Sequence, residues 1–174
     1  MGLTFFRHPP TDAMGLCYGR QDVPLAPGHQ DAIAKATLLL PTNASHVVSS
    51  PSARCVALAH PLAQSADIPL KLDARLMELN FGEWEGRPWA EIDRAESDRW
   101  ASSPLTKAPP GGETFAELTR RVTEVLTGLT DCVIVTHAGP IRAWQIALGL
   151  MDFDTAFARS VPYAQPIVLP SRPG

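Results

Sequence analysis

The strongest constraint on this chain is where its prolines stand. It holds 17 prolines in 174 residues, and they gather at segment ends: Pro9-Pro10, Pro24, Pro27, Pro41, Pro51, Pro109-Pro110 and a tail from Pro162. A proline has no backbone N–H and pushes the residue before it into extended geometry, so these positions punctuate the chain. Between them, short apolar runs alternate with longer segments of helical period. The runs predict strands over about Leu3–Phe6, His46–Ser49, Leu70–Leu72 and Cys132–Thr136, with a last one near Ile167. The longer segments predict helices over about Gly28–Leu40, Ser52–Ser65, Trp89–Trp100, Phe115–Leu129 and Pro140–Leu148. Thr114-Phe115-Ala116-Glu117 matches a capping box at the start of the fourth helix. Strands alternating with helices imply an α/β three-layer sandwich, a mostly parallel central sheet with helices on both faces. The length suits one domain over residues 1–174.

Composition removes several function classes. The net charge is −3 and only three of the 15 basic residues are lysine, so nucleic-acid binding has no electrostatic support. Apolar residues make up 45% and charged ones 19%, as in ordinary soluble domains. The apolar runs are far shorter than a membrane span, and a strand beginning at about Leu3 leaves no room for a signal peptide. Cys17, Cys55 and Cys132 are odd in number and far apart, which suits free thiols in a reducing cytoplasm and argues against structural zinc.

The stretch FFRHPPT carries the first functional signal. Its apolar run ends in Arg7 and His8 and is stopped by Pro9 and Pro10, so the basic pair stands at a strand's carboxyl end. In an open parallel sheet, ligands bind beyond those ends. Two further strands end in the same way. HVVSSPSAR runs through Ser50, expected to cap the next helix, into a first turn bearing Arg54. VIVTHAGPIR places His137 just past its strand. Two arginines, two histidines and helix N-termini on one edge suit an anion, above all phosphate, which guanidinium groups pair bidentately. Neither a P-loop nor a dinucleotide-binding glycine motif is present. The sequence has no H-x-x-x-H pair, and an arginine beside each histidine repels a cation, which argues against a metal.

A neutral imidazole is also a good nucleophile and is not repelled by a phosphate dianion. The departing alcohol then needs a proton from a carboxylic acid. Glu78, Glu83, Glu85 and Glu113 are the candidates: Glu78 lies in an apolar stretch, Glu83 and Glu85 read as solvated, and Glu113 either lines the pocket or favours the following helix N-terminus. Tyr18, Arg20, Trp84, Trp89 and Trp100 are the candidates for selecting the leaving group, with packing as the alternative role for each.

At this point the motifs resemble those of the histidine phosphatase superfamily, also called phosphoglycerate mutase-like. RHPPT resembles the family's R-H-G-x-T, supplying Arg7, His8 and Thr11; GLCYGRQDVPLAPGHQDA is similar to the loop that follows; SSPSAR assigns Arg54. ELNFGEWEG looks like the acid-bearing loop and supports Glu78, while PGGETFAEL and VTHAGPIRAW complete the order and supply His137. The resemblance implies a phosphohistidine on His8, Glu78 as proton donor, and Arg7, Arg54, Thr11 and His137 around the phosphoryl oxygens, with Tyr18, Arg20 and Glu113 toward the substrate and no metal or organic cofactor. It implies a compact phosphatase acting on a small phosphorylated metabolite, with α-ribazole phosphatases the most similar branch. Nucleic acid and membranes are not expected partners, and a homodimer is compatible with the reading. The pattern departs at Pro9 and Pro10, which lack N–H donors, and at Met14, where the family often has an asparagine. Those departures leave open a phosphate-binding or regulatory domain on the same fold; a mutase-type phosphotransferase is the other alternative.

Overall fold

The computed structural model describes residues 2–174. Among them, five strands form one sheet: β1 (Gly2–Arg7), β2 (Val47–Ser49), β3 (Leu70–Leu72), β4 (Val133–Thr136) and β5 (Pro166–Pro170), in the order β3-β2-β4-β1-β5. β1, β2, β3 and β4 run parallel, and β5 closes one edge antiparallel to β1. The helices are α1 (His29–Thr37), α2 (Ala53–Ala66), α3 (Arg94–Ala101), α4 (Phe115–Leu126), α5 (Ala138–Ala147) and α6 (Phe153–Ala158).

Strand alternation decides the layering. Leu3 and Phe5 of β1 and Ile134 of β4 join the core shared with α4 and α5, around Leu118, Val122, Ile141 and Trp144. Phe6 of β1 and Val133 and Val135 of β4 join the core shared with α1 and α2, around Ala36, Leu58, Ala59 and Leu62. A sheet buried on both faces needs strands without a polar side, and all four residues of β4 are buried. Register then aligns the strand ends: Arg7 pairs with Thr136, and Ser49 with Val135. The backbone continues the pairing, with His8 N–H donating to Thr136 O and Ser50 N–H to Val135 O. His8, Ser50 and His137 therefore leave the sheet side by side.

The structure corrects several local expectations. The segment 89–100 is not one helix: Trp89–Glu91 is a 3-10 turn, and α3 starts only after Asp93, whose side chain accepts from Glu96 N–H at 3.0 Å. Ser50 does not cap α2; the N-cap is Ser52, and Ser50 Oγ instead meets the His137 ring. The first helix ends at Thr37 and the one expected over Phe115–Leu129 at Leu126, each three residues short. Helix α6 was not foreseen, although Asp152 caps it by accepting from Thr155 N–H at 2.8 Å. The capping box is present, Thr114 and Glu117 each bonding the other's backbone N–H. No helix among the described residues is long and apolar enough to cross a membrane.

Candidate active site

A cavity of about 360 Å³ opens beyond the carboxyl ends of β1 and β4, and Arg7, His8, Tyr18, Arg54 and Glu78 all line it. His8 is 2% exposed. Its Nδ1 lies 2.7 Å from the carbonyl oxygen of Pro9. A carbonyl only accepts, so Nδ1 carries the hydrogen and Nε2 keeps its lone pair. Burial, together with Arg54 and Arg7 and against the opposing Pro9 hydrogen bond, lowers the His8 pKa from 6.5 to about 3. The His137 ring, fully buried, lies with its centroid 5.3 Å from that of His8. Burial, then Arg54, His8 and Arg7, pushes it well below its ordinary value. Both imidazoles are neutral at pH 7. Ser50 Oγ gives its own hydrogen to Ser52 Oγ at 3.2 Å, so it accepts from His137 Nε2–H at 3.0 Å.

Neutral buried histidines leave a signature in stability. Where the folded pKa is depressed, the unfolded chain binds more protons between the two values, so stability rises with pH across that window. For His8 the window runs from about 3 to 6.5. Stability should therefore be fully present above pH 6.5 and fall as the pH drops toward 3. Calorimetric melting of the ligand-free protein between pH 7 and 5 should show a shallower decline in His8→Asn than in wild type. Parallel declines would show that His8 is not held neutral by the fold.

The two site arginines are held by backbone carbonyls and neighbouring side chains. Arg7 donates from Nη1 to Val161 O and from Nη2 to the Tyr163 hydroxyl, both at 2.9 Å. Arg54, 1% exposed, donates from Nη1 to Gln21 O at 3.0 Å and Asp22 Oδ1 at 3.3 Å, and from Nη2 to Gly19 O. The Nε atoms of both are buried without a hydrogen-bond partner. Unmet guanidinium donors beside neutral histidines form a site short of an acceptor.

The Glu78 carboxylate rests on the first turn of α5: Oε2 accepts from Gly139 N–H at 3.1 Å, and Oε1 from Leu79 N–H at 2.9 Å. A side chain at residue 139 would invade this place, since an added Cβ would stand 2.0 Å from Glu78 Oε1. Glu85 is not solvated, contrary to expectation. It accepts from the N–H groups of Gly19, Arg20, Gln21 and Phe81. Burial raises its pKa, but those four donors outweigh burial and hold it below the ordinary carboxylate value. Glu85 thus pins the loop whose Gly19 carbonyl receives Arg54.

Four expected residues stand outside the cavity wall, His137 among them, fully buried with its Nε2 on Ser50 Oγ. Thr11 Oγ1 lies 2.7 Å from the Tyr18 hydroxyl, one step behind the surface. Arg20 approaches Glu113 at 3.6 Å, and Glu113 is taken up by Arg121 and by Asn80 N–H, so neither reaches the cavity. Met14 is fully exposed. Of the tryptophans, Trp89 and Trp100 line the cavity, whereas Trp84 packs behind them in a cluster with Cys17 and Ile92. Much of the rest of the wall was not foreseen: Leu16, Phe81, Phe115 and Phe157 add apolar surface, and Arg142 adds a charge. Arg142 stood in the quoted VTHAGPIRAW, but nothing local says that it turns toward the site. Among the described residues, no group of three or more His, Cys, Asp or Glu side chains is arranged to hold a metal ion.

Comparison with known proteins agrees with this geometry. The chain is 30% identical over 171 residues to glucosyl-3-phosphoglycerate phosphatase of Mycolicibacterium vanbaalenii, covering 84% of this chain and 73% of that one. It is 30% identical over 151 residues to adenosylcobalamin/alpha-ribazole phosphatase of Salmonella typhimurium, covering 80% and 75%. Among solved structures, YhfR of Bacillus stearothermophilus aligns with a TM-score of 0.83 at 26% identity, over 96% of this chain and 89% of that one. The alpha-ribazole phosphatase of Shigella flexneri shares the fold, with a TM-score of 0.85 at 23% identity over 97% and 89%. The model of the histidine phosphatase superfamily (branch 1) matches residues 3–170, a span that carries every residue of the cavity, and the protein belongs to that superfamily as a phosphatase.

Proposed function

We propose that the protein hydrolyses a phosphomonoester of a small metabolite through a phosphohistidine on His8. The observation that carries this reading is His8 itself: buried, neutral, with Nδ1–H committed to Pro9 O and Nε2 free, in a cavity shared with Arg7, Arg54 and Glu78. In the first step the Nε2 lone pair forms an N–P bond while the ester P–O bond breaks. The departing oxygen takes the bond's electron pair and a proton from Glu78. In the second step water attacks phosphorus, gives its proton to the Glu78 carboxylate, and the N–P electrons return to His8. Arg7 and Arg54 balance charge on the phosphoryl oxygens throughout. The Pro9 substitution supports the chemistry, because the carbonyl that fixes the tautomer is retained even though an N–H is lost.

The apolar and aromatic lining of the cavity favours a leaving group with an aromatic face, and α-ribazole 5′-phosphate is the substrate we propose. Trp89, 38% exposed and stacked on Trp100 at 6.2 Å, is one of two accessible aromatics of that wall, with Phe157. Losing an aromatic contact of about 1 kcal/mol corresponds to roughly fivefold in affinity. Trp89→Ala should therefore raise KM for α-ribazole 5′-phosphate and naphthyl phosphate by about that factor, with glycerol phosphate little changed. An equal rise for all three would remove Trp89 from recognition.

The reaction is tested by brief mixing with a phosphorus-labelled monoester in chelator, followed by trapping of acid-labile label on the protein. Label that appears on wild type and chases into inorganic phosphate supports the route. Turnover without label, or turnover abolished by chelator, overturns it.

A further inference from the structure

We infer that Arg121, paired with Glu113, is the positioning residue for Glu78; this rests on Glu78 being the proton donor proposed above. Arg121 stands on α4, away from the cavity wall, and its side chain is 13% exposed. Its guanidinium has five N–H donors, and five hydrogen bonds use them. Nη1 donates to Arg75 O and Met77 O, both at 2.7 Å. Nη2 donates to Glu78 O at 3.0 Å and Glu113 Oε1 at 2.5 Å, and Nε donates to Glu113 Oε2 at 3.1 Å. Glu113 Oε1 then accepts from Asn80 N–H at 2.9 Å.

The pair thus holds the backbone of the acid-bearing loop on both sides of residue 78: three carbonyls before and at it, and one amide beyond it. The loop has little regular structure of its own, a 3-10 turn at Ala74–Leu76 and another only at Gly82–Trp84. The carbonyls of Arg75, Met77 and Glu78 have no ladder partners there, so their direction depends on side-chain donors, while Asn80 O accepts from the backbone N–H of Glu113. A planar fork meets several fixed acceptors together, which a lysine ammonium does not reproduce. Glu113 is only 12% exposed, so this bidentate pair is shielded compared with a surface ion pair. Holding Glu78 Cα in place leaves its carboxylate on Gly139 N–H, facing the cavity.

A misplaced proton donor slows esters of poor leaving groups and spares good ones, whereas general loss of structure slows all alike. The experiment measures kcat/KM for 2,4-dinitrophenyl, 4-nitrophenyl, phenyl and alkyl phosphates, with the inhibition constant for inorganic phosphate. Wild type is compared with Arg121→Lys, Glu113→Gln and, as reference, Glu78→Gln. General-acid assistance is worth about 10²–10⁴ in rate, so the two positioning variants should lose roughly 10- to 100-fold on alkyl and phenyl phosphates. The kcat/KM for dinitrophenyl phosphate, which reports only the steps up to N–P bond formation, and phosphate inhibition should stay within about threefold of wild type, because good leaving groups need no proton and the anion site is untouched. Glu113→Gln keeps the test open if Arg121→Lys does not fold. A uniform loss across the series, or none, overturns the role of Arg121. If Glu78→Gln itself shows no leaving-group dependence, the donor assignment falls first and this inference with it.

Discussion

His8→Ala should abolish turnover while leaving the anion site occupied. Removing a covalent nucleophile costs on the order of 10⁴- to 10⁶-fold in kcat, because the remaining groups stabilise charge but offer no bond to phosphorus. Arg7 and Arg54 keep their anchors on Val161, Gln21 and Gly19, none of which involves the His8 ring, and Tyr163 loses only a ring neighbour whose centroid lies 5.5 Å from its own. Inorganic phosphate should therefore bind the variant within about tenfold of wild type, since guanidinium–phosphate contacts carry the affinity. Steady-state kinetics and titration calorimetry on the same preparation check both halves. Residual activity above a few per cent would show another nucleophile. Loss of phosphate binding along with activity would make His8 part of the anion cradle instead.

Gly139→Ala should separate activity from stability. The new methyl would stand 2.0 Å from Glu78 Oε1 and 3.1 Å from Glu78 Cδ, with Leu118 Cδ2 at 3.3 Å. Oε1 is the far end of a flexible side chain, so the clash is relieved by moving the carboxylate off Gly139 N–H. That movement is cheap for the fold, and alanine is intrinsically better in a helix than glycine by up to about 1 kcal/mol. It is costly for the chemistry: losing a placed general acid should lower kcat/KM for alkyl phosphates by about 10²–10⁴. Melting temperature should change little. Unimpaired hydrolysis of alkyl phosphates by a folded Gly139→Ala protein would mean that the proton comes from elsewhere than Glu78.

Much of this site was readable before any coordinates. Arg7, His8, Arg54 and His137 were placed together because each follows an apolar run stopped by proline or opening a helix, and the parallel register turns those local ends into neighbours. The roles around the carboxylates were not readable. Glu85 and Glu113 have ordinary surface surroundings in sequence, yet one binds four backbone N–H groups and the other is clasped by an arginine eight residues on. Such contacts depend on where loops cross, and no periodicity records that. The same holds for Ser50, whose expected cap was displaced because the His137 ring offers a buried donor that must be met. Helix α6 escaped notice because it is one and a half turns long, too short for an apolar period.

Local sequence alone sets the layered α/β plan and the edge of the sheet that bears His8. Both follow from short-range physics, apolar runs of strand length, helical period, and prolines that end them. The protonation and aim of the groups on that edge come from packing. His8 is neutral because burial and two arginines surround it, and its Nε2 is free because Pro9 O holds the opposite nitrogen. Glu78 points into the cavity because Gly139 lacks a side chain and Arg121 holds the loop behind it. Desolvation and hydrogen-bond direction are properties of a surrounding, and a surrounding exists only once distant segments have packed.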